Sequence, residues 1–225
     1  MKKLSLVCVL LCLFVTASFA QMTIIPKAGI SYATVSSTDD MLDGADKPKS
    51  KIGAVIGAAL EIGISENIAV QPELLYHQKG AKDEYEEDGY SSSSTYTLNY
   101  FEVPILLKAK FGNFYAVVGP SVGFGIGGKE KWEWEGFGYS DSGESDIKFG
   151  DEPDGYQGED LYLDNGTDFG VQAGLGAKLG PVVVEIRYGH GLTDINDKPS
   201  GFPGDWSNKN RSLQFTVGFP IPIGN

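Results

Sequence analysis

Hydrophobic and polar residues alternate with a period of two along most of this chain. Between 51 and 64, Ile52, Ala54, Ile56, Ala58, Leu60, Ile62 and Ile64 fall on one side, and Gly53, Val55, Gly57, Ala59, Glu61 and Gly63 on the other. Strict alternation over this length marks a β-strand with two unlike faces. The same pattern predicts eight strands, over 23–33, 51–64, 68–79, 96–111, 114–127, 167–179, 182–191 and 211–219. After Gln21 no apolar run approaches the ~20 residues of a membrane helix. Three connections are short and made of turn residues: Ser65-Glu66-Asn67, Gly112-Asn113 and Gly180-Pro181. Four are long: 36–50, 80–95, 128–166 and 192–210. Short and long connections in alternation predict an all-β fold, an eight-stranded antiparallel transmembrane β-barrel. It is an up-and-down meander with short periplasmic turns and long extracellular loops.

Alternation alone does not say which face points inward, because a soluble lipocalin-type barrel alternates too, with its apolar face inside. Three features favour the membrane barrel. The apolar face carries Ile105, Leu107, Phe111, Phe114, Phe124, Phe169, Phe215 and Phe219, which would overfill an interior only just wide enough for side chains. The other face mixes charges with glycines at 29, 53, 57, 119, 123, 170, 174, 176 and 218, and glycines make room in a narrow lumen. Aromatic residues cluster at the ends of the apolar face: Tyr32, Tyr76, Phe124 and Tyr188 at one end, Phe111, Phe114 and Phe219 at the other. They resemble the two girdles of an outer-membrane barrel.

That register turns eleven charges toward the lumen: Lys27, Glu61, Glu73, Lys79, Glu102, Lys108, Lys110, Asp168, Lys178, Glu185 and Arg187, five acids and six bases. Ions in a narrow lumen need partners to offset desolvation. Near balance predicts a closed salt-bridge network that plugs the lumen, with a narrow passive channel as the alternative. His77 faces the same interior and joins that network more readily than it binds metal.

The start of the chain bears on its compartment. Lys2 and Lys3, the apolar run Leu4–Val15 and Ser18-Phe19-Ala20 have the form of a secretory signal peptide over 1–20, with a barrel domain over 21–225. Both cysteines, Cys8 and Cys12, lie inside that segment, so the mature chain is expected to hold no disulfide and no thiolate site. Glycine is abundant, 30 of 225 residues, and the formal net charge is −12. A nucleic-acid partner needs clustered Lys and Arg, so this balance argues against one. The expected surroundings are outer-membrane lipid of a Gram-negative bacterium, and the expected state is a monomer.

The four long connections hold 24 of the 30 acidic residues and 8 of the 18 basic ones. A solvated, repulsive coat is the plain reading. The segment 128–166 is far longer than a connection needs, and such segments are usually functional or disordered. Its first part alternates charge with aromatics, which places Trp132, Trp134, Phe137 and Tyr139 as a candidate partner-binding patch. Its second part is acidic, with Asp151, Asp154, Asp160 and Asp164 as weak cation candidates, though the Asp-x-Asp-x-Asp-Gly spacing of a Ca²⁺ loop is absent. No cofactor is expected. Gly123, Gly125 and Gly128 fit Gly-x-Gly-x-x-Gly, but no helical pattern follows. The two histidines, His77 and His190, sit in no His-Glu-x-x-His or His-x-x-x-His motif, and no serine is spaced against His190 as a triad would need. The chain therefore reads as non-enzymatic.

The run Asn99-Tyr100-Phe101-Glu102-Val103-Pro104-Ile105-Leu106-Leu107-Lys108-Ala109-Lys110-Phe111 resembles the aromatic-Glu-Ile/Val-Pro-Leu-Leu-Leu-Lys strand of the PorT-like outer-membrane β-barrel family. Gln71–Tyr76, Tyr115–Pro120, Val184–Tyr188 and Gly191–Ile195 are similar, in order, to its third strand, fifth strand, seventh strand and following loop. The resemblance implies the barrel fold over most of the mature chain and little about activity. It allows a role as an accessory component of a protein secretion or uptake machine, beside a structural or surface-binding role. One departure is visible: Phe219 is followed by Pro220-Ile221-Pro222-Ile223-Gly224-Asn225, either a short periplasmic tail or a sign that the last strand ends differently.

Overall fold

A strand with one apolar face still has two polar edges, and eight strands remove them by closing on themselves. The computed structural model describes residues 22–37, 48–153, 157–196 and 207–223; the segment 1–20 lies outside them. Eight long strands form the ring: β1 (Met22–Ser37), β2 (Lys51–Gly63), β3 (Ile68–Glu87), β4 (Tyr90–Phe111), β5 (Phe114–Gly136), β8 (Thr167–Leu179), β9 (Val182–Asp194) and β10 (Asn208–Gly218). Three shorter ones complete the sheet: β6 (Tyr139–Phe149), β7 (Leu161–Leu163) and β11 (Ile221–Ile223). Each ring strand pairs antiparallel with its successor, and β10 closes on β1 from Lys27↔Gly218 to Ser37↔Asn208. The fold is an eight-stranded antiparallel meander barrel.

Turn chemistry sets one end. Gly112 (φ 63°) and Gly180 (φ 62°) hold the first central position of two-residue turns, the conformation that matches strand twist and suits glycine. The third turn closes through Ile64 N–H to Ile68 O at 2.8 Å. The chain's last residues continue the barrel. Pro220 interrupts the final strand, and β11 resumes it against Met22–Ile24, so the last strand ends differently from the placement at 211–219.

The outer surface is apolar. Ile105, Leu107, Phe111, Phe114, Phe124, Phe169, Phe215 and Phe219 all face outward and are exposed. On β4 the apolar face runs from Phe101 to Phe111, which fits the ~9–11 residues a tilted strand needs to span a bilayer. Glycines set the inner radius. A Cβ on Gly119 would lie 2.1 Å from Ile105 O, and one on Gly57 would lie 2.1 Å from Leu74 O.

Of the ring strands, β3, β4 and β5 outrun their predicted bounds furthest. The segment 80–95 is no open loop. β3 continues to Glu87, turns at Asp88-Gly89, and returns as β4 from Tyr90. β5 continues to Gly136, and β6 folds back along it, so the first half of 128–166 is also a hairpin. The four strands form a blade that projects beyond the apolar band. Pattern reading stopped short because apolar–polar alternation ends where lipid ends, while the hydrogen-bonded ladder does not. At the base of the blade β5 changes partner, from β8 (through Phe124↔Thr167) to β6 (from Gly128↔Ile147).

Gly119→Val places two methyl groups where no Cβ fits and is expected to abolish the folded, heat-modifiable band on gels. Gly138→Asn, at the blade tip with φ 80° and open space around it, keeps that band because Asn tolerates the left-handed region.

Candidate functional site

Period-two alternation on a ring of eight short-radius strands sends long side chains into one narrow space. They meet in three tiers. Near the short-turn end, Lys108 and Lys110 each donate to Glu61 at 2.8 Å. Lys108 also donates to Gln71 at 3.1 Å and lies 3.9 Å from the centre of the Tyr115 ring. In the middle, Arg187 is 1% exposed and forks onto Glu73, with Nη1 to Oε2 at 2.8 Å and Nη2 to Oε1 at 2.9 Å. This bidentate geometry is the strong form of an ion pair. Arg187 donates to Glu185 as well, and to Gln172 at 3.0 Å. Lys27 lies 2.9 Å from Glu185 and 3.3 Å from Glu73. Gln71 bonds Glu73 at 2.6 Å and so joins the first two tiers. Toward the long-loop end, Lys79 donates to Glu102 at 2.7 Å and to Asp168 at 3.0 Å. Asn210 donates to Asp168 at 2.9 Å, and His77 bridges Glu102 and Ser31 at 3.0 and 2.8 Å.

Ten of the eleven lumen candidates thus sit in these tiers. Lys178 does not. It is exposed at the short-turn rim, beside Pro181 and Phe114. Sequence reading missed the neutral partners Ser31, Gln71, Gln172 and Asn210, although each occupies an inward position of the same alternation. Beside Lys79 and Asp168 the enclosed space is about 10 Å³, about one water's worth. Above it Leu98, Tyr100, Ile147 and Ile195 form a buried apolar layer, with Phe149, Leu161 and Leu163 packed on it. Phe149 reaches inward because Gly125 leaves space: a Cβ there would lie 2.3 Å from its ring. The glycines of 123–128 therefore serve packing.

The blade has two unlike faces. Residues paired across strands share a face. The register puts Asp83, Tyr85, Glu87, Tyr90, Tyr96, Glu130, Trp132, Trp134, Tyr139 and Asp141 on the side continuous with the lumen. That face bears aromatics and acids and no base. Tyr90 stacks on Trp134 with centroids 6.3 Å apart, and the Trp132 ring lies over Gly143. The opposite face holds Lys82, Lys129 and Lys131, matched to acids. Lys82 and Lys49 contact Glu84, and Lys129 contacts Glu144. Those hydrogen bonds, from Lys49 first and then Lys82, hold Glu84 down at about 2.

The four aromatic candidates separate into two groups. Trp132 and Trp134 are half-buried on the lumen-side face, whereas Tyr139 (75% exposed) and Phe137 (85% exposed) sit at the tip. Phe137 occupies the left-handed region at φ 53°, uncommon for a bulky residue. The weak cation candidates do not assemble. Asp160 is engaged by Lys148, Asp151 is exposed, and Asp154 lies outside the described residues. No three His, Cys, Asp or Glu side chains among the described residues converge as metal ligands, Asp164 included.

The family described as outer membrane protein beta-barrel domain matches residues 19–197. No curated protein matches the chain. Among solved structures, it is similar to Ail, the attachment invasion locus protein of Yersinia pestis, in complex with the heparin analogue sucrose octasulfate. Identity is 14%, coverage 90% of this chain and 99% of Ail, and the TM-score 0.42. Neisserial surface protein A is 12% identical, with 88% and 97% covered and a TM-score of 0.37. OprG of Pseudomonas aeruginosa is 13% identical, with 93% and 99% covered and a TM-score of 0.36.

Arg187→Met leaves Glu73 and Glu185 to share Lys27 alone and removes the bidentate pair with Glu73, and it is expected to cost about 3–5 kcal/mol, the usual result of breaking a buried pair. Lys178→Met, at the rim, changes stability by less than about 0.5 kcal/mol. Denaturant unfolding in lipid bilayers reads both.

Proposed function

The chain belongs to the outer membrane protein beta-barrel domain family, and from that premise we propose that it is a non-enzymatic, non-conducting surface-binding protein. The family is one of Gram-negative outer-membrane barrels. The protein acts there as a monomer after removal of residues 1–20, with the blade on the outside. The observation that carries this reading is the sorting of the blade. One face combines Tyr90, Trp132, Trp134 and Tyr139 with Glu87 and Asp141 and carries no base. Aromatics supply large, stiff contact area, and carboxylates beside them select positive charge. The partner is a polypeptide segment rich in Lys or Arg, held by cation–π contacts and charge. The run Asn99–Phe111 supports the finer PorT-like assignment and with it a protein partner, which a secretion or uptake machine would supply.

The closed lumen supports the non-conducting part of the reading. Paired ions in three tiers and the apolar layer above them occupy the lumen among the described residues, which favours a barrel that does not conduct over a water-filled porin.

Two measurements test the proposal. In planar bilayers the protein gives no conductance steps; regular steps would return the narrow-channel reading. In lipid nanodiscs a fluorescent Lys-rich decapeptide binds and a Glu-rich one does not, and binding weakens with salt. Trp132→Ala with Trp134→Ala lowers affinity at least about tenfold while the gel shift persists. Equal binding of both peptides, or no effect of the double variant, sinks the reading.

A further inference from the structure

Below the blade's aromatic residues, at the mouth of the barrel, lies a cavity of about 550 Å³. Its size falls in the range of small-molecule sites, ~300–1,000 Å³. Val35, Leu98, Ile147, Leu161, Leu163 and Ile195 give it an apolar floor and wall. Leu98, Ile147 and Ile195 are also part of the buried layer that separates it from Lys79 and Asp168 beneath, so the cavity ends blind. Asp83 and Glu130 bring two carboxylates into the lining, beside the hydroxyls of Tyr96 and Tyr162 and the side-chain amides of Asn196 and Asn208. Asp83, Tyr96 and Glu130 lie in adjacent rows of the sheet and share this lining, with Glu130 paired opposite Tyr96. Asn196 Oδ1 is buried in the same lining and has no hydrogen-bond partner among the described residues. The lining contains no Lys, Arg or His among the described residues.

Asp83 is under electrostatic load. Burial, and then the neighbouring Glu130, hold the Asp83 carboxyl above the usual carboxylate range. Burial and Glu130 likewise push Tyr96 up to about 12. Lys82 and Lys129 project from the opposite face to Glu84 and Glu144.

We propose that this mouth cavity binds a small amphiphilic cation, with its aliphatic tail on Leu98, Ile147 and Leu163 and its ammonium group among Asp83, Glu130 and Asn196. The charge is set by two carboxylates in a lining that holds no base among the described residues. The tail is set by a blind apolar floor that a hydrated metal ion or a free polyamine would leave bare. The site is distinct from the peptide-binding face, whose residues Trp134, Tyr139 and Asp141 lie further out along the blade.

The probe is octylammonium, with octyl sulfate as its anionic counterpart, titrated by calorimetry into protein in phosphatidylcholine nanodiscs against protein-free nanodiscs. Saturable octylammonium binding beyond that of the empty nanodiscs is expected, with octyl sulfate at least about tenfold weaker. Asp83→Asn with Glu130→Gln weakens octylammonium at least about tenfold, since it removes charge but not volume. Leu163→Trp weakens it by filling the cavity, and Trp134→Ala with Tyr139→Ala leaves it unchanged. Each variant must keep its gel shift. The proposal is overturned by binding no greater than in empty nanodiscs, by equal binding of the sulfate, or by indifference to the two carboxyl changes. Displacement by Ca²⁺ as effective as by a second alkylammonium would also overturn it, since the site would then be a plain ion site.

Discussion

Lipid offers no hydrogen bonds to a peptide backbone, and everything else in this molecule follows from meeting that constraint. The β10–β1 ladder is the decisive contact. Without it two strand edges would face hydrocarbon, each unpaired group at a cost of several kcal/mol. Closing after only eight strands fixes a small radius. A small radius then dictates what the inward positions can hold, and the outer face must be as apolar as lipid. The Phe and Ile residues on the outside and the glycines and charges on the inside are two consequences of one closure.

The lumen shows how such an interior becomes stable although it is built from ions. Removing a charge from water costs several kcal/mol, and a partner repays this only with good geometry. The barrel supplies the geometry because opposing strands hold their side chains at fixed depths. Arg187 on β9 reaches Glu73 on β3 across the lumen and grips both carboxylate oxygens. Lys27 on β1 reaches the same carboxylate and Glu185. These contacts brace the walls from inside, where a soluble protein would have an apolar core. The glycines are part of the same arrangement. Gly174 faces Arg187, where a Cβ would lie 3.0–3.1 Å from the Cα and Cβ of that residue.

Much of this was legible in the sequence, and the reasons are particular. Ile52 to Ile64 could be nothing but a strand with one apolar face, and once the lipid side was chosen, every inward charge followed by counting in twos. What pairs with what was not legible. Nothing local to Arg187 names Glu73, 114 residues away. Lys178 shows the limit of counting: its alternation is right for the lumen, but its depth puts it at the rim. The blade was less visible still. Tyr90 to Tyr96 is a run of Tyr, Ser and Thr with no hydrophobic contrast, and its strand character comes from the Asp88-Gly89 turn and from neighbours on both sides. The Asp83–Tyr96–Glu130 group could not be seen before those three residues were known to lie in adjacent rows of one sheet.

The excess of acids outside the membrane has a plain explanation in a repulsive, hydrated coat. A coat needs only net charge, however, and places no demand on which face of a strand each charge occupies. The blade is more selective than that. Along Lys129-Glu130-Lys131-Trp132 the bases and the acid alternate, so β geometry separates them onto opposite sides. The bases go to the side where Glu84 and Glu144 already wait. The acids of the other side face one another and aromatic rings. Asp83 and Glu130 meet beside an apolar cavity, and burial together with the like charge of Glu130 makes ionisation of Asp83 unfavourable there. A coat would gain nothing from this arrangement and would lose some stability through it. A site for a cation would gain, because the free energy stored in unrelieved like charge is recovered when a positive group arrives. The distribution of charge, more than its amount, therefore argues for binding.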